Sequence, residues 1–143
     1  MTTYILDTSV VLKWFNQTGE SDVSLARKIY SDFTSGNIKI VIPSLLFLEL
    51  LNVLLKAKKI NARQIDKLVK DLFLLPFVIK DPTETVLGKA CHLAEKYELT
   101  VYDGLFLALA QEEKCQLISA DIKGHGKITD GSVLLLSDYK TIV

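Results

Sequence analysis

The sequence predicts a three-layer α/β/α fold, with a central parallel sheet of about five strands between two layers of helices. Short β-favouring runs alternate with helical stretches along the whole chain, which is the pattern of a parallel sheet covered on both faces. The chain has 143 residues, of which 49% are hydrophobic and 24% charged, as in a well-packed globular domain. No linker, repeat or low-complexity tract interrupts this pattern. We therefore expect residues 1–143 to form one domain.

The first half of the chain predicts two strands and four helices. The run TYIL predicts a strand, DTS a turn and VVLKWF a helix. Ser21 is placed to cap a second helix, whose apolar residues recur at helical spacing until residues 36–37 break it. IKIVI predicts the second strand. Pro43 is placed to open the next helix, and Asn61 to cap the one that Pro76 ends.

The second half predicts three strands and two helices. FVI is the third strand, and DPTET begins a helix with a proline in its first turn. Residues 100–103 connect it to the helix DGLFLALAQEEK, and QLIS and VLLL are the last strands.

The most apolar stretch, SLLFLELLNVLLKA, spans about 21 Å as a helix and is too short for a bilayer core of about 30 Å.

Charge and cysteine usage narrow the function classes. The 17 Lys and Arg residues balance the 17 Asp and Glu residues, so the chain has no net charge that would attract a polyanion. A nucleic acid would therefore have to be bound by a local site. Cys91 and Cys115 lack metal-binding spacing, and we expect reduced core thiols. The N-terminus lacks the basic region and long apolar stretch of a signal peptide. These features predict a cytoplasmic protein.

Four acidic residues stand where a parallel sheet collects ligands. Asp7 and Asp121 each follow a predicted strand, and Asp103 begins a helix. Glu49 shares a narrow polar stripe with Asn52 on a helix that is otherwise apolar. Each acid also has an ordinary interpretation: a helix cap for Asp7 and Asp103, a turn for Asp121, and open solvent for Glu49.

Together, the four acids make a stronger case, because a parallel sheet would bring them to one rim. Two carboxylates about 4 Å apart repel each other by about 4 kcal/mol at an effective dielectric of about 20. A fold would assemble such a group only around cations. Oxygen ligands favour Mg²⁺ or Mn²⁺, and no Cys or His is positioned to indicate zinc.

Four segments carry a specific resemblance: YILDTSVVLKWF, PSLLFLELLNVL, VYDGLFLALA and LISADIKGH. In this order, and across essentially the whole chain, they resemble the PIN-domain family, in particular its compact VapC-type toxins. The resemblance implies a parallel sheet between helices and a ribonuclease that cleaves phosphodiester bonds. It also implies that Asp7, Glu49, Asp103 and Asp121 hold one or two Mg²⁺ or Mn²⁺ ions.

The resemblance assigns supporting roles as well. It implies that Thr8 or Ser9, together with Ser119, are hydroxyls beside the acids, and that Asn52 is the polar residue one helical turn from the glutamate. The sequence departs from the family at two positions, where bulkier and tyrosine-like residues are frequent. These are Gly104 and Phe106, which we expect to alter the groove but not the ligand set.

The resemblance also implies partners: an RNA substrate, a second copy of the chain, and a small protein antitoxin whose tail enters the acidic groove. The apolar surplus of the helix over residues 44–57 independently favours subunit contact. A basic neighbourhood on two successive helices either guides a nucleic-acid backbone or is an ordinary charged face. It consists of Lys56, Lys58, Lys59, Arg63, Lys67 and Lys70.

Residues 123–127, KGHGK, form either a phosphate-contacting loop or a mobile, solvated one, and the composition favours the second. His125 is a weak candidate for acid–base work, since a metal mechanism requires no histidine. Two other function classes stay open: a non-catalytic RNA-binding PIN module, and a receiver-type phosphotransfer domain with Asp7 as phosphate acceptor. The second class lacks its expected pair of acids after the first strand.

Overall fold

Strands and helices alternate along the chain in the computed structural model, which describes residues 1–141. Within them lie five strands, six α-helices and two short 3₁₀ helices, at His125–Lys127 and Leu136–Asp138. The strands are β1 (Thr2–Leu6), β2 (Ile38–Ile42), β3 (Val78–Ile79), β4 (Gln116–Ser119) and β5 (Val133–Leu135). The α-helices are α1 (Thr8–Phe15), α2 (Val23–Thr34), α3 (Leu45–Lys56), α4 (Ala62–Leu74), α5 (Glu84–Tyr97) and α6 (Val101–Glu112).

The five strands form one parallel sheet, as the sequence predicts, and their order in the sheet is β3-β2-β1-β4-β5. Because parallel crossovers are right-handed, the connections that carry α1–α4 cover one face and the connection that carries α5 and α6 covers the other. The three-layer prediction is confirmed. The strand order reverses its direction between β1 and β4, and such a switch point leaves a crevice at the carboxyl ends of the two strands.

The core lies on both faces of the sheet, which explains why its strands are continuous apolar runs. Ile5, Ile40 and Leu117 are fully buried on three adjacent strands. Helix α6 packs against β1 and β4, and every residue from 104 to 110 is buried. This burial accounts for a helix that is apolar on nearly all sides.

The helix starts follow local capping chemistry, with departures from the sequence predictions at α2, at α5 and at α6, which begins at Val101 and not at Asp103. Asn61 caps α4 in a capping box with Gln64, as expected from its side chain. Asp22, and not Ser21, precedes α2, in a left-handed conformation with a φ of 53°. Thr83 caps α5, so the proline before it lies outside the first turn. The predictions for the starts of α2 and α5 were therefore wrong in detail.

The two cysteines are free thiols in different environments. Cys91 is exposed, so the prediction of a core thiol is wrong for it. Burial raises the pKa of the half-buried Cys115 to about 11, which disfavours its thiolate.

None of the helices in residues 1–141 combines the length and apolar character needed to traverse a bilayer.

Candidate metal centre

Asp7 lies at the carboxyl end of the central strand β1. Its backbone N–H donates to the carbonyl of Ile118 at 3.0 Å, which fixes it beside β4. One carboxylate oxygen, Oδ2, accepts the N–H of Ser9 at 3.1 Å and caps α1. The other, Oδ1, faces the ring of His125, 4.0 Å from its Nδ1. Asp7 is therefore a helix cap and also presents an oxygen to the crevice.

Glu49 projects from α3 toward the same place and is half-buried. The hydroxyl of Thr8 donates to its Oε1 at 2.8 Å. Burial raises the pKa of Glu49, and the charges of Asp7 and Asp103 raise it further, against the lowering effect of the Thr8 hydrogen bond. The solvent-facing interpretation is thus excluded for Glu49, whereas Asn52 on the same stripe is exposed.

Asp103 lies in the first turn of α6 but does not cap it. Thr100 is the cap, and its hydroxyl accepts the N–H of Asp103 at 3.1 Å. Burial raises the pKa of Asp103, and the charges of Asp7 and Asp121 also raise it. Burial and the neighbouring charges therefore destabilise the charged form of Asp103, and helix capping does not offset this cost. The position of the Asp103 carboxylate needs another explanation.

Asp121 follows β4 and is held by a turn. Its Oδ1 accepts the N–H of Gly124 at 3.0 Å, and its own N–H donates to Ser119 Oγ at 3.1 Å. A Cβ at Gly124 would overlap the carboxylate of Asp121, so only glycine permits this close approach. The turn role of Asp121 therefore coexists with a position close enough to Asp103 to affect its pKa.

The structure thus brings two of the four predicted acids, Asp7 and Asp103, into one group of donor atoms with His125, whereas Glu49 and Asp121 lie outside that group but close enough for charge effects on the pKa values. Asp7, Asp103 and His125 each offer one donor atom, and these atoms lie within 4.8 Å of one another. In residues 1–141 no lysine or arginine forms an ion pair with any of the four acids. Crowded carboxylate oxygens without a protein counter-charge fit a hard divalent cation such as Mg²⁺ or Mn²⁺.

The predicted supporting hydroxyls also lie at this place. Thr8 and Ser119 are buried. Ser9 Oγ accepts the N–H of Ala120 at 3.0 Å and so joins the start of α1 to the end of β4. Each of these three hydroxyls bonds to a group on another segment of the site or to Asp121, and together they fix the backbone that carries the acids.

Sequence reasoning did not identify the position of His125. Its side chain is fully buried, within the 3₁₀ helix His125–Lys127, so the expectation of a solvated loop is wrong there. Nδ1 lies 2.8 Å from Ser119 Oγ, and Nε2 lies 3.1 Å from the carbonyl oxygen of Asp103. Neighbouring Lys123 is exposed, and Lys127 bonds to carbonyls at the end of α5.

The two departures from the family pattern act on packing. Gly104 is buried where α6 crosses α5, and a Cβ there would overlap the carbonyl oxygen of Ala90. Phe106 is a fully buried core residue. Both residues are buried in the packing of α6, and the expectation that they alter the groove stays a prediction.

Two further surfaces were predicted from the sequence. In the basic neighbourhood, Lys58 bonds to Glu20 and Lys67 pairs with Asp71, which leaves fewer charges for a polyanion. Leu48 and Leu55 of α3 are exposed, 69% and 44%, as the apolar surplus predicts.

A separate groove of about 960 Å³ lies between α1, α2 and α4 and contains none of the four acids.

Comparison with known proteins agrees with this fold. A family model described as "PIN domain" matches residues 4–127. A toxin-antitoxin complex from Klebsiella pneumoniae is similar in structure, with a TM-score of 0.66, 20% identity, and coverage of 95% of this chain and 99% of that one. VapBC2 from Rickettsia felis, bound to a promoter DNA fragment, gives a TM-score of 0.63, 19% identity, and coverage of 94% and 97%.

A third similar structure is VapC20 of Mycobacterium tuberculosis, described as a Sarcin-Ricin loop cleaving toxin. Its TM-score is 0.64 at 12% identity, and the alignment covers 85% of this chain and 90% of that one. No curated protein matches the sequence significantly. At these identities the similar structures bear on the fold alone.

Proposed function

Because the chain belongs to the PIN-domain family, we propose that it is a metal-dependent endoribonuclease and the toxin of a type II toxin-antitoxin pair. The observation that carries this proposal is that Asp7 and Asp103 offer donor atoms within 4.8 Å of each other. Their charges raise the pKa of Glu49, and the charge of Asp121 raises that of Asp103, while no lysine or arginine in residues 1–141 pairs with any of these acids. Buried like charges of this kind destabilise a fold unless a cation binds them.

In this proposal Asp7 would be the central ligand of Mg²⁺ or Mn²⁺, with Asp103 and Asp121 as further ligands and Glu49 as a direct or water-mediated ligand. Such an ion, when bound, would supply a water nucleophile at neutral pH and offset the charge that develops on the phosphate. The chain orients the ligands: Thr8 holds Glu49, the N–H of Ser9 holds Asp7, and the N–H of Gly124 holds Asp121. These bonds leave the remaining carboxylate oxygens to face the crevice.

The proposal includes partners and a location. The similar structure from Klebsiella pneumoniae is described as a toxin-antitoxin complex, and VapC20 is described as a toxin that cleaves the Sarcin-Ricin loop. We extend these properties to this chain as an RNA substrate and a small protein antitoxin in the cytoplasm. The exposed leucines of α3, Leu48 and Leu55, support a homodimer, because apolar patches of this kind commonly mark interfaces.

The test is RNA cleavage by the purified chain with Mg²⁺ or Mn²⁺, and by the variant Asp103→Asn. Loss of an outer-shell partner of a metal ligand costs about 10- to 100-fold in activity, so loss of a ligand charge should lower cleavage by more than about 100-fold. Asp66→Asn is the matched control, because Asp66 is exposed on α4, a helix that carries none of the four acids. It should cleave like wild type.

The competing functions give different results. Equal cleavage by Asp103→Asn and wild type would remove the metal assignment. RNA binding without cleavage by wild type would indicate a non-catalytic PIN module. Labelling of Asp7 by acetyl phosphate would indicate a phosphotransfer domain. Expression of the chain alone should slow growth, and Asp103→Asn should relieve that effect.

A further inference from the structure

We propose that His125 is a positioning residue that fixes the separation of the Asp103 and Asp121 carboxylates, by bridging the first turn of α6 to the end of β4, and that it is not a metal ligand. This inference rests on the proposed function. It concerns a buried polar side chain that the proposed reaction does not use directly. Four observations carry it.

The first observation is that the ring is completely enclosed and yet fully hydrogen-bonded. His125 has no exposed surface, and both of its nitrogens have partners, Ser119 Oγ at 2.8 Å and the Asp103 carbonyl at 3.1 Å. In residues 1–141 no buried side-chain nitrogen or oxygen lacks a hydrogen-bond partner. The ring is therefore a fixed part of the interior.

The second observation is that the hydrogen bonds define one tautomer. A carbonyl oxygen only accepts, so Nε2 must carry the hydrogen that bonds to Asp103. Ser119 Oγ accepts the N–H of Asp121, and its own hydrogen is then free to donate to Nδ1. With hydrogen on Nε2 and the Ser119 hydroxyl donating to Nδ1, every group in this chain of bonds has a partner.

The third observation concerns what the ring connects. One bond reaches the backbone of Asp103, and the other reaches Ser119, which in turn holds the backbone of Asp121. The two acids lie on different elements, in α6 and after β4. Displacement of the ring would free the Asp103 carbonyl and remove the partner that orients the Ser119 hydroxyl, which holds the Asp121 backbone.

The fourth observation separates positioning from ligation. His125 is near enough to Asp7 and Asp103 for a shared ion by distance alone, within 4.8 Å. However, Nδ1 already bonds to Ser119, and Nε2 bonds to a carbonyl. An ion on either nitrogen would break one link of the chain. The geometry therefore favours carboxylate oxygens as the ligands and the ring as their support.

The experiment compares Mn²⁺ affinity, measured by calorimetry, for wild type, His125→Phe and His125→Gln. Phenylalanine keeps an aromatic ring, which is somewhat larger, and removes both hydrogen bonds, so we expect Mn²⁺ affinity to fall about 10- to 100-fold. Glutamine can place an amide N–H near the former Nε2 and restore the bond to Asp103, so affinity should recover most of this loss. For RNA cleavage, His125→Phe should lower kcat with little change in KM.

The matched control is His92→Phe, because His92 is the other histidine of the chain and is exposed on α5. It should bind Mn²⁺ like wild type. Unchanged affinity in His125→Phe, with loss of binding in Asp103→Asn, would overturn this inference and leave the proposed function intact. Failure of wild type to bind Mn²⁺ would instead contradict the metal-dependent function.

Two spectra keep the inference testable if a variant does not fold. In the metal-free wild type, ¹⁵N NMR of the imidazole at mildly alkaline pH should show hydrogen on Nε2 of His125. Pulsed EPR of the Mn²⁺-loaded protein should show no directly coordinated ¹⁴N. The opposite tautomer, or a coordinated nitrogen, would overturn the positioning role.

Discussion

Glu20 shows how a single carboxylate is kept charged beside the core. Lys13, only 4% exposed, bonds to its Oε1 at 3.0 Å, and Lys58 bonds to its Oε2 at 2.9 Å. Burial alone would raise the pKa of Glu20, but the hydrogen bonds and charges of the two lysines outweigh it, and the pKa is lowered. The three side chains thereby join the ends of α1 and α3 to the loop between α1 and α2.

The variant Glu20→Gln should be less stable than wild type at neutral pH, because two lysines lose their counter-charge. The pKa of Glu20 is lower in the folded chain than its ordinary value of 4.5. Its stabilising effect is therefore complete above 4.5 and is lost as the pH falls through the folded value. Urea unfolding from neutral pH to below 4.5 should show a difference in unfolding free energy that closes in acid.

Glu95→Gln is the control, since Glu95 is exposed on α5, and it should match wild type at each pH. A difference for Glu20→Gln that stayed constant in acid would mean that Glu20 stabilises by packing and not by charge.

Residues of the candidate site differ in how far the sequence predicts them. Asp7, Glu49, Asp103 and Asp121 could be chosen because each stands at a strand end, a helix start or an unusual polar stripe. His125 could not, because its surroundings have the composition of a solvated loop. Its burial depends on the turn in which Gly124 approaches the carboxylate of Asp121, and that turn is not visible in the residue types.

At the scale of elements, the contact of α5 with α6 determines where the first turn of α6 lies. Gly104 follows Asp103 directly and packs against the carbonyl of Ala90 on α5. The absence of a side chain at Gly104 lets the two helices approach closely. The position of the Asp103 carboxylate in the crevice therefore depends on a glycine that contributes no chemistry.

Gly104→Ala should destabilise the protein by about 1–3 kcal/mol, because its Cβ would overlap a backbone oxygen that can move only with α5. Gly88→Ala is the matched control within α5. No atom lies within 4 Å of a Cβ at Gly88, so it should stabilise the helix by up to about 1 kcal/mol. Thermal unfolding of both variants tests the pair. An equal effect of the two substitutions would contradict the close-packing argument.

Element boundaries were predictable where the interaction is local. The cap at Asn61 follows from its own side chain and a glutamine three residues later. The start of α2 does not, because Asp22 takes a left-handed conformation after a loop in which Glu20 is held by Lys58, two residues beyond the end of α3. Long-range contacts override the local preference of Ser21 at this point.

At the scale of the whole molecule, the strand order creates the site. Leu6 pairs with Ile118, and Ser9 bonds to Ala120 across 111 positions of sequence, so two distant strand ends become neighbours. The sequence predicts that parallel strands present their ends at one rim. It does not by itself predict which strands are adjacent, and adjacency of β1 and β4 is what brings Asp7 to Asp121.

The end of the described chain is fastened to the body of the fold by one buried polar pair. The hydroxyl of Tyr139 donates to Asp32 Oδ2 on α2 at 2.6 Å, and the ring packs edge-on against Tyr4 of β1. Burial raises the pKa of Tyr139, and the hydrogen bond to Asp32 raises it further, so the hydroxyl stays protonated. Asp32 is itself only 4% exposed and depends on this donor.

Tyr139→Phe should lower the free energy of unfolding by about 1–3 kcal/mol, because it leaves a buried carboxylate oxygen without its partner. Tyr30→Phe is the control, since Tyr30 is 40% exposed and should change stability little. Urea unfolding gives the global effect, and hydrogen exchange at β5 and α2 shows whether the two elements open together. Because Tyr139 contacts Asp32 of α2 and Tyr4 of β1 rather than any of the four acids, Mn²⁺ affinity should be retained while stability falls. Loss of Mn²⁺ binding in a folded Tyr139→Phe would contradict this separation of the fastening contact from the site.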